Sequence, residues 1–598
     1  MYNVYLFQPQ YDQEINNKTN YWIPYSVGCI WSYASQFNDI IDNFTLKELG
    51  FRRENHEDVC LRLENPKICG FSTYVWNNEY NLKLAEKIKK LYPSCIIVFG
   101  GPMINETFLK KYSFIDCIIL SEGEESFVNL CRSIIQNNTY QNIYENNRLK
   151  NLDIPSPYLT DVFYNIIKEN PNAMWAMTIE TNRGCPYMCT FCDWGRLTYS
   201  KVYKFSTERV FAEFEWAVNN NVGYLYLTDA NFGMFKERDL DIARKLSSIV
   251  ENSCVESISI QYAKNSNEVV FEIAKLMGKR SRGITVSLQS LNDQTLIDIK
   301  RKNMQINQIE KTLQLSEEFG VGTYTEMILG LPNETLESWK DGLCKLLEMG
   351  QHQSIEIWFA NILENSELAQ AETIKKYDIK TVQALDYIGL YNNIEKEIYH
   401  EFMDIINSTN TMNVDEMIEG YLYGWLIINF HINGYTELVS KYLRKIHNIS
   451  YREIYDVFYK LCITDESFSS HYDDFKNIIS TYLRTGVIPQ HSKVKGHAPH
   501  VYSVKFIYDN KDLVNKILSK LLNHFNIEDL DILTLQSNYI YDNEKIYPYE
   551  IKNINLNIKN WTSEIKSYTI DSKFENYKNK DFYNRRRLGA LKNILTIQ

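Results

Sequence analysis

This sequence is poor in long hydrophobic runs, in basic charge and in histidine, and these shortages exclude several classes of protein. The most apolar helix-like stretch, residues 421–432, is interrupted by Gly424, Asn429 and His431 and is too short to cross a bilayer. The 64 Lys and Arg against 75 Asp and Glu give a net charge of -11, which argues against general nucleic-acid binding. Residues 1–7 lack the basic region and long apolar stretch of a secretory signal. We therefore predict a cytoplasmic protein with neither a membrane nor a nucleic-acid partner.

The 12 cysteines lack the spacing of a disulfide framework, and nine of them are scattered singly. The other three, Cys185, Cys189 and Cys192, lie in one short segment, called here the cysteine loop (residues 180–195). Three thiolates at this spacing hold three corners of an iron–sulfur cube and leave the fourth iron open to a small molecule. A structural zinc site normally needs four ligands, and no nearby Cys or His completes such a set. Zinc binding and simple burial remain the alternatives.

The cysteine loop reads Glu-Thr-Asn-Arg-Gly-Cys-Pro-Tyr-Met-Cys-Thr-Phe-Cys-Asp-Trp-Gly and resembles the Cys-x3-Cys-x2-Cys signature of the radical S-adenosylmethionine (SAM) superfamily. The resemblance implies that Cys185, Cys189 and Cys192 are the metal ligands of a catalytic [4Fe-4S] cluster, whose open iron chelates SAM. It also implies that Phe191 packs on the adenine of SAM.

A chain of 598 residues has room for two to four domains. In the first 150 residues, predicted strands at 3–8, 67–73, 95–99 and 116–120 alternate with helices at 25–36 and 78–92. This alternation predicts a parallel, doubly wound sheet of the Rossmann-like, flavodoxin-like kind, whose ligands lie beyond the carboxyl ends of the strands.

Small and hydroxyl residues stand at these strand ends. They are Ser72 and Thr73, Gly100 and Gly101, and the run Ser121, Glu122, Gly123 and Glu124. Glycine lets a ligand approach the backbone closely, and the amides at helix starts suit phosphate. The pattern predicts a nucleotide-like pocket, with tight structural turns as the alternative.

These strand ends, together with residues 70–77, resemble the cobalamin-binding domain of cobalamin-dependent radical SAM enzymes. The resemblance implies that the strand ends hold the nucleotide tail and corrin side chains, and that Tyr74, Val75 and Trp76 lie near the lower face of cobalamin. The Asp-x-His-x-x-Gly motif that gives cobalt a histidine is absent, and His56 is the only histidine before residue 352. We therefore expect cobalamin without a histidine lower ligand. For Trp76, interdomain packing is the alternative.

Residues 173–395 repeat strand then helix, with strands predicted at 175–181, 223–227, 257–262, 283–288, 322–329 and 354–359. Six such units predict a partial (β/α)6 TIM barrel, in which chemistry lies at the carboxyl ends of the strands. The cysteine loop follows the first strand, as this rule requires. The predicted organisation is thus α/β, with a cobalamin-binding domain (1–150), a linker (151–172), a radical SAM core (173–395) and a mainly helical C-terminal domain (396–598).

The radical SAM resemblance also assigns polar residues at the later strand ends to SAM. It implies that Asp229 and Asn231 receive the methionine amino group, although the usual Gly-Gly-Glu is absent there. It assigns the ribose, carboxylate and adenine positions to Gln261, Ser287, Gln289, Glu326 and Gly330. A helix cap or an ion pair is the alternative for a carboxylate at a strand end.

The Cys-Asp-Trp-Gly end of the cysteine loop is similar to a subgroup of cobalamin-dependent radical SAM proteins. By this resemblance we expect a C-methyltransferase, which uses a 5'-deoxyadenosyl radical and methylcobalamin on an unactivated carbon of a peptide, amino acid or natural-product intermediate. A rearrangement, cyclisation or epimerisation with the same cofactors is the alternative, and a sensor without turnover is a remote one. An electron donor of the flavodoxin or ferredoxin type is implied.

The last 200 residues are expected to cover the barrel mouth and shape the substrate pocket. Residues 415–463 have helical spacing, and residues 497–507 are strand-like. His491, His497 and His500 form either a polar loop or a metal site, and Arg585, Arg586 and Arg587 either bind an anionic substrate group or are solvated. The sequence does not determine the substrate or the oligomeric state.

Overall fold

The structure is a computed structural model. It describes residues 1–11, 13–15, 18–137, 139–146, 148–149, 151–194, 201–264, 268–386, 399–487, 503, 506–507, 509–528, 532–534 and 536–537. Several candidate residues lie outside the described residues: Gly195, His491, His497, His500, Arg585, Arg586 and Arg587.

The strands are β1 (Tyr2–Gln10), β2 (Gln13–Ile15), β3 (Lys18–Trp22), β4 (Phe44–Arg52), β5 (Pro66–Ser72), β6 (Ile96–Gly100), β7 (Cys117–Leu120), β8 (Ile143–Glu145), β9 (Met174–Ile179), β10 (Asn182–Arg183), β11 (Tyr203–Lys204), β12 (Val222–Phe232), β13 (Ser257–Tyr262), β14 (Ile284–Thr285), β15 (Thr323–Leu329), β16 (Ile355–Phe359), β17 (Asn361–Ile362), β18 (Lys380–Leu385) and β19 (Phe402–Ser408).

The helices are α1 (Tyr25–Ala34), α2 (Asn38–Ile41), α3 (His56–Arg62), α4 (Asn78–Leu91), α5 (Thr107–Lys111), α6 (Glu124–Asn137), α7 (Tyr164–Glu169), α8 (Thr207–Asn219), α9 (Lys236–Val250), α10 (Glu268–Met277), α11 (Asp293–Asp298), α12 (Ile306–Glu318), α13 (Leu336–Glu348), α14 (Ala371–Lys376), α15 (Val414–Leu426), α16 (Glu437–His447), α17 (Tyr451–Thr464), α18 (Glu466–Thr485) and α19 (Lys511–His524). A π-helical segment, Ile427–Ile432, extends α15.

The N-terminal region contains a parallel sheet in the order β4-β1-β5-β6-β7-β8. The interior of β1 is buried without alternation, as expected for a parallel strand covered on both faces. The strand order reverses at β1, which pairs with β4 on one side and β5 on the other, so a crevice opens at the carboxyl ends of β1 and β5. The predicted parallel α/β sheet is confirmed. Strand β4 was not predicted, because it is an edge strand whose partial burial gives no continuous apolar run in the sequence.

The second region carries the predicted series of parallel strands, divided between two sheets. β13, β12 and β9 form one sheet, and β14, β15 and β16 form the other. A single bridge between Ile258 and Ser281 links β13 to the segment before β14. Strand β3 pairs in parallel with β9, so the β2–β3 hairpin of the N-terminal region extends the second sheet. The sequence does not reveal that a hairpin of the first region joins the sheet of the second.

Beyond β16, the strands β17, β19 and β18 form a small antiparallel sheet, and helices α15 to α19 follow. One hydrophobic core joins these helices to the β14–β16 sheet and its helices, and the Trp339 indole of α13 donates to the Gly420 carbonyl of α15 at 2.9 Å. The strand-like prediction for residues 497–507 is wrong for its described residues Ser503, Phe506 and Ile507, which are helical. The Phe506 ring stacks on His471 at 4.0 Å, so tertiary packing outweighs local propensity.

All 12 cysteines are free thiols. Within the part of the chain that the structure describes, no helix combines the length and apolar character needed to cross a bilayer.

Candidate functional site

The cysteine loop leaves the carboxyl end of β9. Cys185 is buried, whereas Cys189 and Cys192 are half-buried. Backbone hydrogen bonds fix the loop at Thr190, whose N–H donates to the Ile299 carbonyl at 3.1 Å and whose carbonyl accepts from Leu368 N at 2.9 Å. Among the described residues, no three His, Cys, Asp or Glu side chains are arranged to hold a single metal ion. A cubane cluster spaces its thiolates more widely, because each one binds a different iron.

Asp229 of β12 fastens the start of the cysteine loop. Its buried carboxylate accepts from Thr181 N at 2.9 Å, Asn182 N at 2.8 Å and Thr181 Oγ1 at 2.7 Å. Burial raises the pKa of Asp229 to about 7, and these donors oppose the shift. Both oxygens therefore accept hydrogen bonds from the protein, which gives Asp229 a positioning role at the start of the cysteine loop. The SAM contact that the resemblance implies stays a prediction.

Three polar groups face the cysteine sulfurs. Asn231 Nδ2 lies 3.5 Å from Cys185 Sγ, and Lys264 Nζ and Arg301 Nη1 each lie 3.9 Å from Cys189 Sγ. Burial lowers the pKa of both Lys264 and Arg301. Hydrogen bonds and positive charge near the sulfurs are among the factors that set a cluster's reduction potential. Sequence reasoning missed both cations, because neither belongs to a motif.

Two buried amide oxygens beside the cysteine loop and barrel mouth have no protein partner. They are Asn231 Oδ1 and Gln289 Oε1 among the described residues. Gln289 also holds a left-handed backbone conformation, with φ of 65°, and its N–H donates to the Glu326 carbonyl at 3.0 Å. A buried acceptor without a donor is costly, and SAM carries ammonium and hydroxyl donors. These two residues fit the SAM positions predicted for them.

The remaining polar strand ends are linked to one another. Ser287 Oγ donates to Glu326 Oε2 at 3.1 Å, and the Arg301 guanidinium donates to the Ser287 carbonyl. Burial raises the pKa of Glu326, and it also raises that of Tyr226, which a hydrogen bond to Gln261 partly offsets. The barrel end therefore already has a polar lining of the kind that a zwitterionic ligand requires.

At two of the glycines predicted to contact a cofactor, protein packing by itself requires the absence of a side chain. Gly330 has φ of 98°, and a Cβ there would lie 2.5 Å from the Met417 methyl group. A Cβ on Gly123 would lie 2.7 Å from Ile30 Cδ1 of α1. Phe191 packs half-buried against the core shared by the barrel and the C-terminal helices. Their cofactor contacts stay predictions.

The strand ends of the first sheet approach one another closely. Thr73 N donates to the Gly100 carbonyl at 2.7 Å, and a Cβ on Gly101 would lie 2.6 Å from the Thr73 carbonyl oxygen. Only glycine tolerates this approach together with its φ of 105°. Ser121 after β7 also has a positive φ, 62°. The crevice edge is therefore built from tight turns, as a close-fitting ligand requires.

The turn after β5 presents aromatic rings. Val75 opens a short 3-10 turn that ends at Asn77, and the rings of Tyr74 and Trp76 stack at 4.4 Å and 11°. The Ser72 carbonyl behind this turn accepts from Asn77 Nδ2 at 3.1 Å. The Trp76 indole N–H has no partner within the described structure. A flat apolar wall with an unused donor fits a large planar cofactor that carries amide groups.

Two predicted cobalamin contacts, Glu122 and Glu124, pair with arginines, and their contacts with cobalamin stay predictions. Glu122 accepts from Arg148 Nε at 3.2 Å and from Leu149 N at 2.9 Å. Glu124 pairs with Arg183 of the cysteine loop at 2.8 Å, and both side chains are nearly buried. Arg148 in turn donates to the Arg183 carbonyl. The structure thus uses both carboxylates to tie the turn after β7 to the cysteine loop.

The start of α1 lies between the two candidate cofactor regions. Tyr25 OH donates to Glu180 at 2.9 Å, and Glu180 accepts from Arg183 Nε at 2.9 Å. The next residue, Ser26, shares a 2.6 Å hydrogen bond with Tyr74 OH. One turn of helix therefore connects the aromatic turn after β5 to the cysteine loop.

His56 is packed away as a core side chain. Its ring stacks on Tyr399 at 3.8 Å and meets the Tyr80 ring edge-on at 4.5 Å. Burial lowers its pKa to about 3, so the imidazole is neutral.

Comparison with known proteins gives concordant results. The Radical SAM superfamily model matches residues 179–343. The cobalamin-dependent radical SAM methyltransferase TokK of Streptomyces tokunonensis is 32% identical over 460 residues, covering 73% of this chain and 67% of the relative. The 2-(S-pantetheinyl)-carbapenam-3-carboxylate methyltransferase of Streptantibioticus cattleyicolor is 31% identical with the same coverage. The solved structure of OxsB with aqua-cobalamin and SAM shares the fold, with a TM-score of 0.51, 14% identity, and coverage of 95% of this chain and 84% of that chain.

The match to the Radical SAM superfamily model implies a [4Fe-4S] cluster and SAM, and the similarity to a cobalamin-dependent methyltransferase adds cobalamin. These are the three cofactors that the cysteine loop and the first sheet's crevice indicate. The predicted family, cofactors and enzyme class are confirmed. The chain belongs to the cobalamin-dependent radical SAM methyltransferases.

Proposed function

We propose that this chain transfers a methyl group from cobalamin to an unactivated carbon of a small natural-product intermediate. The observation that carries the proposal is the shared wall between the two cofactor regions, where α1 contacts both Tyr74 and Glu180. Methyl transfer to a carbon radical requires both cofactors to face one substrate. The curated relative that acts on a carbapenam favours a natural-product intermediate over a peptide or a free amino acid.

The strand order β4-β1-β5-β6-β7-β8 supports a cobalamin-binding domain at 1–150, with 151–172 as linker. The strand series from β9 to β16 supports a radical SAM core of the partial-barrel type at 173–395. The helices packed on its second half support a substrate-shaping domain at 396–598.

When bound, the cluster with SAM supplies a carbon-centred radical, and cobalamin supplies the methyl group. The chain's own residues hold these groups in place. Cys185, Cys189 and Cys192 would ligate the cluster, and Asn231 and Gln289 would accept hydrogen bonds from SAM. The aromatic turn at Tyr74–Trp76 would lie against the lower face of cobalamin.

We also propose an acidic electron carrier of the flavodoxin or ferredoxin type as the partner. A cavity of about 910 Å³ lies beside Tyr187 of the cysteine loop, and three exposed lysines line it, Lys236, Lys302 and Lys311, with Glu268. Lys264 lies over the Tyr187 ring at 4.4 Å and reaches toward Cys189. In a chain of net charge -11, this positive rim suits an acidic protein. The free thiols support a reducing compartment such as the cytoplasm.

The test is anaerobic incubation of the reconstituted chain with SAM, cobalamin, a reductant and candidate intermediates. We expect 5'-deoxyadenosine, S-adenosylhomocysteine and a methylated product. Formation of 5'-deoxyadenosine with neither of the other two would contradict methyl transfer and favour rearrangement, cyclisation or epimerisation.

Substitution of the cluster ligands tests the radical step separately. Cys185→Ala, Cys189→Ala and Cys192→Ala should each reduce 5'-deoxyadenosine formation at least a hundredfold, because an incomplete ligand set cannot hold the cluster. Cys254→Ala is the matched control, since this half-buried thiol contacts only the Val222 carbonyl among its described partners. SAM cleavage that persisted in all three ligand variants would exclude the assigned cluster site.

A further inference from the structure

A buried ion pair joins the segment after β4 to the segment before β19. Arg53 Nη1 lies 2.8 Å from Glu401 Oε1, and their side chains are 3% and 0% exposed. The two residues are 348 positions apart in the chain. A charge pair with this little exposure is retained only when further hydrogen bonds satisfy both partners.

Glu401 finds these hydrogen bonds at the start of α4. Its Oε2 accepts from Glu79 N at 2.7 Å, and its Oε1 accepts from Tyr80 N at 3.0 Å. Both amides belong to the first helical turn, which has no intrahelical acceptor for them, and a carboxylate there also complements the helix dipole. A residue close to β19 therefore caps the helix that directly follows the aromatic turn.

Arg53 holds the aromatic turn itself. Its Nη1 donates to the Trp76 carbonyl at 3.1 Å, and its guanidinium also donates to the Tyr399 carbonyl. On the opposite side, Asn77 Nδ2 donates to the Pro9 carbonyl at 3.1 Å. The backbone of Trp76 is thus fixed between the end of β1 and the Arg53–Glu401 pair.

We propose that Arg53 and Glu401 are positioning residues that hold the turn Tyr74–Trp76 closed against the lower face of cobalamin, so that no exogenous ligand reaches the cobalt there. The proposal rests on the proposed function, in which this turn forms the lower wall. It assigns a role at the cofactor to a residue of the C-terminal part of the chain, far from any cofactor motif.

Removal of the Glu401 charge should release the turn Tyr74–Trp76 on one side. Without the Glu401 charge, Arg53 is a buried cation whose remaining partners include the Trp76 and Tyr399 carbonyls and the Tyr80 ring, and the first turn of α4 loses one of its two carboxylate acceptors. The turn that carries Trp76 is then released on one side, while Asn77 still holds the other. The turn then opens on the Arg53 side, while the strand-end residues proposed to hold the cofactor stay in place.

The experiment uses the full chain loaded with cluster and cob(II)alamin, with 15N-imidazole added as the probe ligand. Bound 15N-imidazole splits the cobalt electron paramagnetic resonance lines into doublets. A 14N ligand, such as His400, which precedes Glu401, or the base of the cofactor itself, gives triplets instead. We expect a doublet in Glu401→Gln at an imidazole concentration at least tenfold below any that produces a doublet in the parent protein.

Two further variants keep the test decisive. Arg53→Lys retains the charge but loses the second donor, so it should show intermediate imidazole binding even if Glu401→Gln does not fold. Glu213→Gln is the matched control, because it disrupts another buried pair (Arg209–Glu213, 2.9 Å) distant in sequence from the aromatic turn and should behave as the parent.

Two outcomes are distinguishable. Parent-like spectra in both Glu401→Gln and Arg53→Lys, with cobalamin retained, would overturn the positioning role and leave the proposed function intact. Failure of the parent protein to retain cobalamin would overturn the proposed function itself.

Discussion

Asp229 and Asn231 stand two residues apart on β12, yet their surroundings differ. The hydrogen bonds to the Asp229 carboxylate come from Thr181 and Asn182 at the start of the cysteine loop, and they engage both of its oxygens. Asn231 has one amide group directed at Cys185 and one oxygen without a partner. The two residues that the resemblance assigns to SAM thus differ: Asp229 anchors the cysteine loop, and Asn231 has an oxygen that suits a ligand's donor.

This division predicts separable defects. Asp229→Asn keeps Oδ1 for the two backbone N–H groups but replaces the acceptor of the Thr181 hydroxyl with an NH2 donor, at a cost of about 1–3 kcal/mol, so iron content after reconstitution should fall at least twofold. Asn231→Leu should keep its iron but bind SAM about tenfold more weakly. Iron analysis and anaerobic calorimetry measure the two effects. If Asp229→Asn kept its full iron content but no longer bound SAM, this result would support a direct contact between Asp229 and SAM.

At the scale of elements, local motifs in the sequence predicted most of the site. The cysteine loop after β9, the glycines after β6 and the polar end of β12 all follow from strand–turn patterns. The partners of Glu122 and Glu124 did not, because Arg148 and Arg183 come from other elements and only the folded chain brings them together. Lys264 and Arg301 were missed for the same reason.

The turn after β7 therefore acts as a brace for the cysteine loop, and its removal has a specific consequence. Glu124→Gln leaves Arg183 with Glu180 as its remaining described carboxylate partner and should cost about 3 kcal/mol. We expect faster amide hydrogen exchange at residues 182–185. The ratio of 5'-deoxyadenosine to S-adenosylhomocysteine should rise at least threefold, because the cysteine loop moves relative to the proposed cobalamin site.

Lys89→Met is the control for this variant. It removes a partly buried pair with Asp116 (2.7 Å) in the same sheet region, away from the cysteine loop. An unchanged product ratio in Glu124→Gln would show that the brace is not needed for coupling.

At the scale of the whole molecule, the two cofactor regions are interlocked rather than placed side by side. The β2–β3 hairpin of the N-terminal region pairs with β9, where Tyr21 lies opposite Trp175. The rings of Tyr21 and Phe51 cover the Trp175 indole at 5.8 and 5.7 Å, and Trp175 is only 1% exposed. A boundary drawn at residue 150 from sequence periodicity misses this, because a short hairpin carries too little pattern to reveal its partner.

The interlock predicts that residues 173–598 are not an independent folding unit. Expressed alone, this fragment exposes the edge of β9 and the face of Trp175, and an unpaired apolar edge promotes aggregation. We expect an insoluble product, with solubility and iron binding restored by co-expression of residues 1–172. Size-exclusion chromatography and iron analysis provide the measurement. A soluble, monomeric fragment that binds its cluster unaided would mean that the hairpin pairing is dispensable for folding. The two cofactor regions would then be held together by their other contacts, among them those of Arg183, Tyr25 and Asn365.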